Sequence, residues 1–313
     1  MATLEQKVES AVAIKNILFA TDFSAVSESA LPYVAALGVR YGSTVHVANV
    51  LPDAVLLRPG APDPAVMGQI YEEAHSVAQE KMQHLVKRLK GFPCKTYLRH
   101  GGVYEVISAI IREQDVDLLV LGTHGRTGLG KLIMGSVAEE LFRQAPCPVL
   151  TVGPRVPVTE KVLESRHHRD LPPPQIKFHE ILYATDLEPD AAQGAFYATS
   201  LAREFQAHLT LMHVIDGYGK DLHDHPGPID KTLRRLEELV PDRSGLRYEP
   251  EFVAQFGMPS ELILQTAGEY AADLIVLGVR PAPGHLGAAT HFSGSTAHKV
   301  VVGANCPVLT VRS

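Results

Sequence analysis

The chain has 313 residues, of which 45% are hydrophobic and 20% are charged, and its formal net charge is -6. This length suggests two domains of about 150 residues each, and the composition excludes a disordered chain. The acidic balance gives no electrostatic footprint for duplex nucleic acid, so we expect no nucleic-acid partner.

Membrane attachment and structural cysteines are also excluded by the sequence pattern. No run approaches the roughly 18 apolar residues that span a bilayer, and charged residues interrupt the N-terminal segment, so we expect neither an anchor nor a signal peptide. The three cysteines, Cys94, Cys147 and Cys306, form no CxxC pair. This argues against a disulfide framework or a thiolate zinc site and favours a cytoplasmic protein.

Short, continuously apolar runs alternate with segments of helical periodicity in the first half of the chain. Continuous runs are typical of buried parallel strands, and strand–helix alternation implies right-handed crossovers with helices on both faces of the sheet. The predicted strands are NILFAT (16–21), STVHVANV (43–50), KTYLRH (95–100), DLLVLGT (117–123) and PVLTVG (148–153). The predicted helices cover 26–41, 67–90, 103–114 and 136–144.

The second half repeats the first. NILFATDFS at 16–24 returns as EILYATDLE at 180–188, and APCPVLTVG at 145–153 returns as ANCPVLTVR at 304–312. The order of the repeated segments is kept, which indicates a tandem duplication. We predict domains at 1–153 and 176–313 with a proline-rich linker at 154–175, and we expect the two copies to pack face to face about a pseudo-twofold axis.

In parallel sheets of this kind ligands bind beyond the carboxyl ends of the strands, and Asp22 follows the first strand. Its carboxylate would accept hydrogen bonds from a ribose hydroxyl or a base amine. The alternative is that Asp22 organises the strand-to-helix turn, which is a common task for aspartate.

A glycine-rich segment follows the fourth strand. Gly122, Gly125, Gly128 and Gly130 fall within nine residues, and Gly135–Ser136 precedes the next predicted helix. Backbone amides at such a helix start form an anion site, for which phosphate is the obvious ligand. The alternative is a connecting loop in which Ser136 serves only as an N-cap.

The stretch Gly125–Lys131 imitates a Walker P-loop. Leu132 stands where that motif requires Ser or Thr for magnesium, and the segment follows the fourth strand of its unit rather than the first. We therefore reject a Walker site.

The spacing of Gly122, Gly125, Gly135 and Ser136, taken with ATDFS and CPVLTV, resembles the universal stress protein family. The resemblance covers nearly the whole chain as two tandem copies. It implies two flavodoxin-like or adenine-nucleotide-hydrolase-like α/β domains, each with a five-stranded parallel sheet. It also implies ATP binding, with or without Mg²⁺, in which the TD aspartate and a valine ending strand two hold the adenosine.

Carried over to this chain, the resemblance assigns adenosine to the first two strand ends and the phosphates to the glycine loop. Within that loop His124 would either meet a phosphate or fill the turn. The implied ATP-binding residues are Ala20, Thr21, Asp22, Val50, Gly122, His124, Gly125, Arg126, Gly135, Ser136 and Val137.

The second copy departs from this pattern. It keeps Thr185, Asp186 and Val214, but Pro281 stands at the second glycine position, and a prolyl ring removes an amide donor. We therefore expect ATP in the first copy and a degenerate phosphate loop in the second, where Gly284, Gly287, Gly294 and Ser295 would rebuild part of an anion site.

Outside these segments the sequence offers little chemistry. Asp221, His223, Asp224 and His225 form either a metal cluster or, as we expect, a solvated loop, and we assign no metal ligand. No GxSxG, HExxH or paired-carboxylate pattern is present, so no catalytic residue is assigned. The favoured function is a stress or signalling protein that responds to ATP by changing conformation or its affinity for a protein partner or a second copy. The alternatives are a slow ATPase or nucleotidyl-transferring enzyme and a nucleotide-free scaffold.

Overall fold

The computed structural model describes residues 11–51, 64–89, 91–123, 134–157, 176–215, 227–279 and 295–312. In the first half the strands are β1 (Asn16–Ala20), β2 (Thr44–Leu51), β3 (Cys94–His100), β4 (Leu118–Gly122) and β5 (Val149–Val152). The helices are α1 (Ala25–Glu28), α2 (Leu31–Tyr41), α3 (Pro64–Val86), α4 (Val103–Glu113) and α5 (Ser136–Gln144).

The second half repeats this arrangement. Its strands are β6 (Glu180–Ala184), β7 (His208–Ile215), β8 (Glu251–Phe256), β9 (Leu274–Val279) and β10 (Val308–Arg312). Its helices are α6 (Ala191–Phe205), α7 (Gly227–Glu238), α8 (Pro259–Glu269) and α9 (Thr296–Gly303). None of the helices in the described ranges has both the length and the apolar character needed to cross a bilayer.

The predicted α/β class with parallel sheets is confirmed. Within each half all strand pairs are parallel, and the sheet order is β3-β2-β1-β4-β5-β10-β9-β6-β7-β8. Of the two common doubly wound orders, each half has 3-2-1-4-5, which reverses between its first and fourth strands, rather than the 2-1-3-4-5 order of flavodoxin.

Helices cover both faces of the sheet, as expected. Apolar residues of α2, α3, α6 and α7 pack on one face, and those of α4, α5, α8 and α9 pack on the other. Each of these two apolar layers contains residues from both halves of the chain, so the core is continuous across the repeat.

The expected face-to-face packing of the two copies is wrong, because they join edge to edge. β5 pairs with β10 in the antiparallel direction, with Leu150 opposite Leu309 and each threonine opposite a valine. Thr151 Oγ1 donates to the Val308 carbonyl at 3.1 Å and Thr310 Oγ1 donates to the Val149 carbonyl at 3.2 Å, so the contacts obey a pseudo-twofold relation. The pairing satisfies backbone groups that two separate domains would leave at open sheet edges.

The single helix predicted over 26–41 is also wrong. Pro32 lies in the first turn of α2, where its missing N–H costs nothing, whereas a continuous helix would place it in the interior. The first helix, α1, therefore ends at Glu28, and a second helix, α2, begins at Leu31. The long third helix begins at Pro64 and ends at Val86 rather than covering 67–90, and its end tightens into a bond from the Leu89 amide to the Val86 carbonyl.

His46 on β2 is a buried titratable group away from the strand ends. Its ring nitrogens lie 3.0 Å from Tyr97 Oη and 3.2 Å from Asn16 Oδ1. Burial, with a smaller contribution from the charge of Lys95, lowers the pKa of His46 below its ordinary value of 6.5.

We expect this histidine to make folding stability depend on pH. Because the folded pKa is lowered, the unfolded chain binds more protons, so the free energy of unfolding falls as pH drops below 6.5 and levels off below the folded pKa. His46→Gln should show a smaller loss between about pH 7.5 and pH 5 in urea titrations. His84→Gln, at an exposed position of α3, is the control for loss of one histidine. If the free energy of unfolding changes equally with pH in the two variants, His46 is not the source of the pH dependence.

Candidate functional site

A pocket of about 300 Å³ opens where the carboxyl ends of β1, β2 and β4 meet the first turns of α4 and α5. β1 and β4 are the neighbouring strands at which the strand order reverses, which is where ligands of doubly wound sheets bind. The lining residues are Ala20, Thr21, Asp22, Ser27, Ala48, Asn49, Val50, Leu51, Val103, Ile107, Leu121, Gly122, Gly135, Ser136, Val137, Ala138 and Leu141.

Most of the residues predicted from the sequence meet at this pocket. Ala20, Thr21, Asp22, Val50, Gly122, Gly135, Ser136 and Val137 all line it. His124, Gly125 and Arg126, together with the Walker-like stretch, lie outside the described residues. The pocket therefore brings together the strand-end and helix-start segments that the sequence places far apart.

The turn after β1 is held by a local network of hydrogen bonds. The Phe23 amide donates to Thr21 Oγ1 and the Ser24 amide donates to Asp22 Oδ1, each at 3.0 Å. Ser27 Oγ donates to Thr21 Oγ1 at 2.7 Å, and Phe23 takes the left-handed conformation at φ 60°. Asp22 thus organises the turn, as the alternative interpretation predicted, and it also lines the pocket.

Asn49 is a polar residue of the pocket that the sequence analysis missed. Its Nδ2 donates to the Thr21 carbonyl at 2.8 Å and ties β2 to the turn that carries Asp22. Its side chain is buried, and within the described part of the chain its Oδ1 has no hydrogen-bond partner. An asparagine among the apolar residues at the carboxyl end of β2 was the available sign of this role.

Most of the remaining lining residues form an apolar floor that the sequence analysis also missed. Ala48, Ile107, Leu121, Ala138 and Leu141 are buried and belong to one apolar cluster. Three of them lie on α4 and α5, which follow strands whose carboxyl ends open at the same end of the sheet. Helix residues of this kind look like ordinary core in a sequence, because their periodicity is that of any amphipathic helix.

Gly122 is required by close packing between β4 and α1. A Cβ at this position would lie 2.9 Å from Ser27 Cα and 2.9 Å from the Val26 carbonyl oxygen, and both of these are backbone atoms. The glycine therefore lets α1 and the Asp22 turn approach the sheet, which helps to shape the pocket.

The start of α5 brings a helix N-terminus to the pocket. Gly135 is the N-cap and Ser136 is the first helical residue, so Ser136 is not the N-cap that the alternative interpretation required. The Glu139 amide bonds the Gly135 carbonyl at 2.9 Å. The amides of the preceding three residues have no acceptor within the helix, and they lie at the positive end of its dipole.

The second half keeps the hydrogen-bonded turn after its first strand, β6, but the start of its last helix, α9, differs from that of α5. The Leu187 amide donates to Thr185 Oγ1 at 3.0 Å and the Glu188 amide donates to Asp186 Oδ1 at 3.1 Å, as in the first half. Ser295, unlike Ser136, is an N-cap whose hydroxyl accepts the His298 amide at 3.2 Å. Pro281, Gly284, Gly287 and Gly294 lie outside the described residues, as do Asp221, His223, Asp224 and His225.

The cysteines do not offer a nucleophile. Burial raises the pKa of the Cys147 and Cys306 thiols to about 12, and it also raises the pKa of Cys94. Reactive cysteines have lowered pKa values in electropositive, accessible surroundings. These thiols therefore belong to the packing of the strands and not to a reaction.

Known proteins resemble this chain in both halves. Universal stress protein MJ0577 of Methanocaldococcus jannaschii is 29% identical over 155 residues, which cover 45% of this chain and 96% of that protein. A universal stress protein of Mycolicibacterium smegmatis is 25% identical over 311 residues, which cover 95% of this chain and 97% of that protein.

The fold has a solved counterpart of similar length. The crystal structure of a universal stress protein from Archaeoglobus fulgidus DSM 4304 superposes with a TM-score of 0.63 at 21% identity, covering 95% of this chain and 98% of that chain. The model of the universal stress protein family matches residues 13–153 and again residues 177–312. Two consecutive matches over most of its length make this chain a tandem, two-domain member of the universal stress protein family.

Proposed function

We propose that the first domain, residues 1–153, binds ATP in the pocket at the β1–β4 reversal. The observation that carries this proposal is the combination, in one pocket of about 300 Å³, of an apolar floor, a carboxylate and a helix N-terminus. A nucleotide presents the matching groups in the same order, because its base is flat and apolar, its ribose carries hydroxyls and its phosphates are anionic.

The adenosine would lie between the ends of β1 and β2. The apolar floor offers van der Waals contact to the base, and Asp22 offers acceptors to ribose hydroxyls or a base amine. Val50 is half-buried near the end of β2 and lines the same pocket. Apolar walls with few polar groups are typical of small-molecule sites.

The phosphates would lie at the start of α5. Ser136, Val137 and Ala138 line this end of the pocket, and their amides are the unpaired donors of the helix start. Helix N-termini are general phosphate sites. His124, Gly125 and Arg126 belong to the same proposal on the strength of the family motif, and Mg²⁺ would accompany the phosphates. The backbone amides at the start of α5 and the Ser136 hydroxyl would donate hydrogen bonds to the negatively charged phosphate oxygens.

We infer a binding function rather than catalysis. Asp22 is the one ionisable side chain among the described lining residues, and its Oδ1 already accepts the Ser24 amide. Within the described lining no second ionisable side chain could act with it as an acid–base pair. ATP would then act by changing conformation or affinity for a protein partner in the cytoplasm, and multiple turnover in a phosphate-release assay would favour a slow ATPase instead.

The first prediction concerns Asp22 and the number of sites. Calorimetric titration should give about one ATP per chain, and Asp22→Ala should weaken binding by about tenfold or more, since a charged hydrogen bond is lost. Asp186→Ala removes the equivalent turn bond in the second domain and should leave the affinity unchanged. Two equal sites, or a loss confined to Asp186→Ala, would mean that binding has been assigned to the wrong half.

The second prediction separates ligand contact from helix capping. Ser136→Ala should cost about 1 kcal/mol in ATP affinity, or roughly fivefold, with little change in thermal stability. Ser295→Ala removes a true N-cap and should lower stability by about 1 kcal/mol without changing ATP affinity. Thermal unfolding and calorimetry on both variants decide the matter, and a stability loss in Ser136→Ala with normal affinity contradicts the proposal.

The third prediction concerns Gly122. Gly122→Ala should destabilise the protein by about 1–3 kcal/mol and weaken ATP binding, because the new methyl group meets the backbone of α1. The equivalent Gly278 has no atom within 4 Å of a Cβ built at its position, so Gly278→Ala is the matched control. Equal losses of stability in the two variants would show that the contact with α1 has no special cost.

A further inference from the structure

The two domains differ at one position of the second strand that faces the pocket. In the first domain Ala48 pairs with Ala20, and in the second domain Met212 pairs with Ala184. The Thr21 amide donates to the Ala48 carbonyl at 2.9 Å, and the Thr185 amide donates to the Met212 carbonyl at 3.0 Å. Backbone geometry therefore makes Ala48 and Met212 structurally equivalent.

The surroundings of this position are largely preserved between the domains. Asn49 Nδ2 lies 2.8 Å from the Thr21 carbonyl, and His213 Nδ1 lies 2.8 Å from the Thr185 carbonyl. Leu187 repeats the left-handed conformation of Phe23, with φ 60° in both. The strand-end framework that would receive a nucleoside is thus present twice, and the side chain inside it differs.

The difference is one of volume. Ala48 lines the open pocket of the first domain with a single methyl group. Met212 is fully buried and belongs to the same apolar layer as Ile263, Ile275 and Leu277, which lies on that face of the sheet. A thioether side chain at this strand position takes up space that in the first domain belongs to the pocket, and close-packed interiors do not yield such space readily.

We propose that this position selects the nucleotide-binding domain: Ala48 admits the adenine ring, and Met212 fills the equivalent space. The proposal rests on the proposed function, and it adds a determinant in the strand that is independent of the degenerate glycine loop. It predicts that the second domain would reject even a nucleoside that has no phosphates.

Adenosine is the probe that isolates this determinant, because it makes no use of the phosphate loop. Binding to the full chain can be followed by calorimetry or NMR, and 8-azidoadenosine labelling with peptide mapping identifies the domain. The unchanged chain should bind about one adenosine, and Ala48→Met should weaken that binding by about tenfold or more. Met212→Ala should add a second adenosine, and the double variant should bind one, labelled in the second domain.

Leu182→Ala is the matched control for a new cavity. Leu182 is buried on the same face of β6, two residues before the strand end, so its truncation should lower stability without admitting adenosine. Thermal unfolding checks that each variant is folded, and Met212→Val offers a smaller truncation if Met212→Ala is not.

The outcomes separate the two proposals. A single adenosine in the folded truncation of Met212, or an unchanged affinity in folded Ala48→Met, overturns this inference while the proposed function stands. An unchanged chain that binds neither ATP nor adenosine overturns the proposed function. A site gained by Met212→Ala in that case would still support the role of side-chain volume at this position.

Discussion

The antiparallel pairing of β5 with β10 is the contact on which the rest of the molecule depends. It joins two parallel five-stranded sheets into one, and it lets each apolar layer run across both halves. Matched threonine hydrogen bonds, and Arg155 and Arg312 donating to carbonyls of the opposite half at 3.3 Å, reinforce the backbone pairing. Each copy therefore supplies the edge partner that the other lacks, which is the service that a second subunit performs in a symmetric dimer.

Because the two copies are parts of one chain, a substitution changes only one side of the β5–β10 pairing, and the two copies can therefore differ. Both copies keep the turn after the first strand, with its left-handed residue and its aspartate. They differ at the helix start and on the strand face. Ser136 lines a pocket where Ser295 is an N-cap. Ala48 stands where the second copy has the buried Met212. The duplicated backbone is thus shared by the two copies, while side chains at the strand ends and helix starts differ.

Much of this architecture could be predicted from the sequence because buried parallel strands are continuously apolar and because the repeat shows each strand twice. The residues that meet at the pocket were also accessible, since the carboxyl ends of parallel strands share one edge. The packing of the copies was not, because pairing of sheet edges is made by backbone groups that leave no side-chain pattern. Asn49 and Ala48 were missed for a related reason: a strand buried on both faces does not indicate which residues border a pocket. Pro32 marks the break between α1 and α2, but the helical periodicity continues on both sides of it and conceals that break.

The antiparallel direction of the β5–β10 pairing also determines where the two strand-end regions lie. Because β5 and β10 run in opposite directions, the carboxyl ends of the first-half strands lie at one end of the strands of the ten-stranded sheet. The carboxyl ends of the second-half strands lie at the opposite end. A ligand bound beside Asp22 is therefore out of reach of the turn that carries Asp186. A single protein partner that contacts both turns would have to extend around the sheet. The two ends are connected through the central strands, in which β4 ends at Gly122, its neighbour β5 pairs with β10, and the backbone hydrogen bonds are continuous.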